Sequence, residues 1–145
     1  MLEAEGFYDE QIQDIASHIG KSYGLVTLLR SLPYNTSKGR IYLPRESLMK
    51  AKVSGEDIIR GRKQAEVCDI IKDISIVAQQ HLEMARSLKK DVPSTVVPFF
   101  LCSVICDSYL KQLQRVKFNV FHSSLQQKNG LLPSQLLWQK FRRKY

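Results

Sequence analysis

One apolar stripe constrains this chain more than any other feature. Val67, Ile70, Ile71, Ile74, Val77, Ala78, Leu82, Ala85 and Leu88 recur at three- and four-residue steps. Only an α-helix gathers such positions onto one face. The spacing predicts a helix over 64–90, and Lys89 and Lys90 suit its C-terminal end, where the helix dipole favours cations. A long helix with one apolar face is stable in water only when other elements cover that face.

The rest of the chain supplies helices. Ile12, Ile15, Ala16, Ile19, Tyr23 and Val26 predict a helix over 9–30, with Asp9 as its cap. Pro33 and the polar run 35–39 predict that it ends there in a loop. Residues 40–44 read as a short extended stretch, and Pro44 suits the first position of a short helix reaching Lys50. Ser54 and Asp57 have capping-box spacing, with Asp in place of Glu, ahead of another short helix. Pro93 separates the long helix from one over 95–116, whose start is apolar nearly all round and therefore central to the core. Phe118, Val120 and Phe121 form an apolar connector, Asn129-Gly130 a turn, and a last helix starts near Pro133. No strand alternation or internal repeat interrupts this pattern. The expected fold class is all-α.

Charge narrows the partners. The net charge is +8, yet residues 1–20 hold Glu3, Glu5, Asp9, Glu10 and Asp14 and no Lys or Arg. The remainder carries twenty-two Lys and Arg against nine acids, a net +13. Such a surface suits anionic lipid, an acidic protein or nucleic acid. No aromatic-interleaved basic motif supports the last, so nucleic acid is not an expected partner. The longest uncharged stretch, 92–106, is broken by Pro93 and Pro98 and is too short to span a bilayer. Membrane contact through these residues is therefore expected to be peripheral.

The chemistry-bearing residues are sparse. Cys68, Cys102 and Cys106 are an odd number with no secretory signal, which argues against a disulfide framework. Cys102 and Cys106 share a helix face and read as buried thiols; a metal site needs further ligands nearby. Asp69 and Asp73 form a D-x-x-x-D pair on one helix face. With Ile70 and Ile71 in the apolar stripe, we read the two carboxylates as its solvated edge rather than a metal site. His18, His81 and His122 form no metal pair on one helix, and His81 reads as a packed core histidine.

A longer motif carries more. Residues 29–44 read LRSLPYNTSKGRIYLP. They resemble, without a gap, the second signature of squalene and phytoene synthases, approximately L-R-D-V-x-E-D-x-x-x-G-R-I-Y-L-P. The stretch 39–44 matches residue for residue. Tyr109, Leu113, Phe118, Val120 and Phe121 resemble the family's late helix and connector, so the likeness extends from about Ser17 to Phe121. Residues 17–21, SHIGK, and the tail 121–133 resemble a mitochondrial branch of this superfamily, whose members are assembly factors for respiratory complex I.

The resemblance implies the C-terminal helices of an isoprenoid-synthase-like bundle. Residues 1–145 would form one partial domain whose upstream helical half lies outside this chain. The family ionises prenyl diphosphates with Mg²⁺ held by carboxylates. Here Ser31 stands at the first Asp, Tyr34 at the Glu and Asn35 at the second Asp. Gly24 and Thr27 also depart from the family's usual Gln and Asn. Arg30 and Arg40 are kept and remain candidates for binding an anion, although packing of Ile41, Tyr42 and Leu43 onto the helices also accounts for that stretch. The expectation is a non-catalytic relative with no metal and no cofactor. It would work with complex I subunits or other assembly factors, at the matrix side of the mitochondrial inner membrane and in peripheral contact with it. The acid-rich start is the reverse of a mitochondrial presequence, so this form also reads as cytosolic. The alternative is an active prenyl diphosphate transferase or isoprenoid-lipid-binding protein, which would need Mg²⁺. Without the upstream half, the apolar stripes of the first and fourth helices are expected to lack partners, leaving the chain poorly soluble or less stable alone.

Overall fold

The computed structural model describes residues 2–88 and 101–127. Among them the elements are α1 (Leu2–Ser37), α2 (Arg45–Lys50), α3 (Gly55–Ile59), α4 (Gln64–Ser87), α5 (Cys102–Arg115) and α6 (Ser123–Gln126). No strand occurs among them, so the fold is all-α.

α1 runs past the predicted stop and carries Pro33 inside it. The proline forfeits one backbone hydrogen bond. Leu29 and Leu32 beside it are fully buried, and that burial holds the last turns on the core. The true stop is Gly39. Its N–H donates to the Thr36 carbonyl and the Arg40 N–H donates to the Asn35 carbonyl, at 2.9 Å each. Gly39 sits at φ +70. This is a Schellman C-cap, and its left-handed residue favours glycine.

Pro44 is the N-cap of α2 rather than its first residue, with φ −56, so the helix starts one residue later than expected. The capping box of α3 is present in both directions: the Asp57 N–H donates to Ser54 Oγ, and the Ser54 N–H donates back to Asp57 Oδ2. Leu43 and Val53 are buried and anchor the connecting segment, whereas Tyr42 is 55% exposed. The expectation that Tyr42 plugs onto the helices is therefore wrong. Leu43 takes the inward position, with Ile41 half-buried against the core, and Tyr42 projects outward.

Two core clusters give the topology. Ile15 and Ile19 of α1 meet Ala85 of α4 and Val104 of α5. At the other end, Leu29 and Leu32 share a cluster with Val67, Ile71 and Leu113. α4 is thus antiparallel to α1, and α5 is antiparallel to α4. Asp107 ties α5 to α4 through Arg86 at 3.3 Å and also pairs with Lys111 at 2.7 Å. The stripes of α1 and α4 therefore cover each other, contrary to the expectation that both lack partners. What stays exposed is narrower: Tyr23 and Tyr34 on α1, and Ile76, Val77 and Met84 on α4. After α5, Lys117 and Phe118 both adopt positive φ, and this reversal seats Val120 in the core. The short α6 was not anticipated; four residues are too few to show a period. The expected helix start at 95–100, the turn at 129–130 and the helix near Pro133 lie outside the described residues.

Candidate functional site

The altered signature occupies the last turns of α1. At 100° per residue, Ser31, Tyr34 and Asn35 lie on one side of the helix. The Ser31 hydroxyl donates to its own helix, to the Leu28 carbonyl at 2.9 Å. Tyr34 is 67% exposed, and the Lys38 ammonium stands 5.9 Å from its ring centroid. The Asn35 carbonyl is committed to the Schellman cap.

These groups do not fit Mg²⁺. Mg²⁺ in such a site is usually held through one or two carboxylates, and the three side chains bring no negative charge. The ammonium of Lys38 beside Tyr34 further opposes a second cation. Among the described residues no group of three or more His, Cys, Asp or Glu could hold a metal ion. Asp69 and Asp73 are both exposed on α4.

The two retained arginines are both exposed. Arg30 stands over the Tyr109 ring of α5, 6.0 Å from its centroid, a cation–π contact. Tyr109 is buried, and burial pushes its hydroxyl pKa up to about 12, with the nearby Arg30 charge pulling it down. Arg40 contributes its backbone N–H to the α1 cap. Both side chains stay free of ion pairs among the described residues, so each remains chemically able to meet an anion.

The opposite side of α1 meets a cavity of about 320 Å³. Pro33, Ile58, Val67 and Ile71 give it an apolar lining; Arg62, Gln64 and Asn119 add polar groups. Sequence reasoning missed this cavity because its walls come from four separated segments. It also missed the contact between His18 and His81, 63 positions apart, whose Nδ1 atoms lie 2.9 Å apart. His81 is half-buried rather than a core residue. Cys106 is the buried thiol expected, while Cys102 and Cys68 are partly exposed. Burial raises all three thiol pKa values, that of Cys106 to about 11.

An all-helical bundle bearing this signature frame defines the class. Residues 1–138 match the squalene/phytoene synthase family, and the chain belongs to it. It is 45% identical over 144 residues to NADH dehydrogenase (ubiquinone) complex I, assembly factor 6 of Homo sapiens, covering 99% of this chain and 43% of that protein. The Drosophila melanogaster homolog of that factor is 39% identical over 139 residues, 95% of this chain and 42% of its own length. A chloroplastic phytoene synthase from an Oncidium hybrid cultivar is 36% identical over 53 residues, 37% of this chain and 13% of its own. The chain thus spans less than half the length of these curated relatives. No solved structure matches it.

Proposed function

We propose that this chain is the C-terminal part of a non-catalytic assembly factor for NADH dehydrogenase complex I. The observation that carries this is the selective loss at one face. The frame 39–44 still closes α1, while Ser31, Tyr34 and Asn35 supply no carboxylate where the chemistry needs three. Binding Mg²⁺ and stabilising a diphosphate leaving group depend on those charges. The relatives that align with nearly the whole chain are named as assembly factors. On this reading the protein is a pseudoenzyme. It acts through contact with complex I subunits or other assembly factors, at the matrix side of the mitochondrial inner membrane.

Depletion tests it. Cells lacking the gene should show reduced assembled complex I on blue-native gels, restored by the full-length gene. Normal complex I after complete depletion would overturn the proposal.

A further inference from the structure

Charge is unevenly spread along this chain. The first twenty residues carry five acids and no Lys or Arg. At one end of the bundle, residues 38–63 link the end of α1 to the start of α4 and carry eight Lys and Arg against Glu46, Glu56 and Asp57, a net +5. Two of those acids are already paired, Glu56 with Arg60 and Asp57 with Lys63. Arg40, Arg45, Lys50, Lys52 and Arg62 are exposed and have no ion pair among the described residues.

The basic end also exposes apolar side chains. Met49 is 78% exposed, Tyr42 55%, and Ile59 and Phe121 41% each. Ile59 and Phe121 line the cavity together with Arg62, so apolar surface and a free guanidinium share that site. Cations set among exposed methionine, isoleucine and aromatic rings match an interface of anionic headgroups over hydrocarbon, where rings settle at headgroup depth and lysine stems reach outward. Nucleic acid is a poorer match: Tyr42 and Phe121 offer rings to bases, but Met49 and Ile59 would stay exposed to water against a phosphate backbone.

We propose that the end of the bundle closed by residues 38–63 is a docking surface for an anionic lipid bilayer. The free cations meet lipid phosphates, and Met49, Tyr42, Ile59 and Phe121 enter the interface. No helix among the described residues is long and apolar enough to cross a membrane, so this contact is superficial. The proposal deepens the assembly reading and rests on it only for which membrane is met.

The test is co-sedimentation of the full chain with phosphatidylcholine vesicles, with or without phosphatidylglycerol. Binding should require phosphatidylglycerol and weaken as salt rises. Neutralising three cations in R45Q/K50Q/R62Q should cut partitioning about a hundredfold, at about fivefold per charge. Met49→Asp should also weaken binding, with circular dichroism unchanged because the side chain is exposed. Equal binding to neutral vesicles, or binding by the triple variant equal to the parent's, would overturn the proposal. So would binding confined to RNA or an acidic polypeptide with none to vesicles. Complex I plays no part in this assay, so its failure leaves the assembly reading standing.

Discussion

His18 on α1 and His81 on α4 face each other with their Nδ1 atoms 2.9 Å apart. Their rings are tilted, with centroids 5.1 Å apart. At that distance one nitrogen must donate and the other accept, so at most one of the facing nitrogens carries a proton. The pair clamps the end of the helix interface where Ile15, Ile19 and Ala85 also meet.

Acid should loosen this clamp. Desolvation, and then the charges of His18 and Lys21, hold the His81 pKa below its ordinary value of 6.5. A histidine whose pKa is depressed on folding contributes stability in full above its unfolded pKa. That contribution is lost as pH falls through the folded one. Thermal melts should therefore show a loss of stability as pH drops below about 6.5, and His81→Gln should flatten that loss. An equal acid sensitivity in the variant would contradict this assignment.

Core truncation between α1 and α4 should be severe. Ile71 and Leu82 are both fully buried in the main cluster. Leu82→Ala should cost about 2–5 kcal/mol in urea unfolding, while Met84→Ala two residues on, with its side chain exposed, should cost under about 0.5 kcal/mol. Equal effects of the two substitutions would show that α4 does not present this face to the core.

Thiol chemistry should follow burial. Iodoacetamide reacts with thiolates. Cys106 is fully buried, and burial, reinforced by Cys102, pushes its pKa to about 11. Mass spectrometry of the native protein at neutral pH should find Cys68 and Cys102 labelled before Cys106. Denaturant should make all three react alike.

Rebuilding the acidic face should change its ion preference. The parent protein should gain no thermal stability from added Mg²⁺. The variant S31D/Y34E/N35D places three carboxylates on one side of α1 and should be less stable without divalent cations, because like charges at three- and four-residue spacing repel. Mg²⁺ should then recover part of that loss. A parent protein stabilised by Mg²⁺ would contradict the reading of this face.

Helix content was legible in the residues because it rests on local periodicity. The capping box of Ser54 and Asp57 is present as read, and so is the stripe of α4 except at Val77, which is exposed. The end of α1 was misplaced because Pro33 was weighed as a stop, whereas burial of Leu29 and Leu32 outweighs one lost hydrogen bond and Gly39 supplies the real terminus. The positions of Ser31, Tyr34 and Asn35 were readable because they lie within a single ungapped motif. The histidine pair and the cavity were not, because each joins residues from separated segments that only the antiparallel packing brings together. The basic end lies within the continuous segment 38–63, but the exposure of Met49, Ile59 and Phe121 beside it depends on that packing.

The proposed function depends on this face having given up diphosphate chemistry. The most direct test is to incubate the full-length protein with farnesyl or geranylgeranyl diphosphate and Mg²⁺ and to measure released pyrophosphate. Release should be no faster than in buffer. Mg²⁺-dependent release that disappears on changing Arg30 or Arg40 would contradict it.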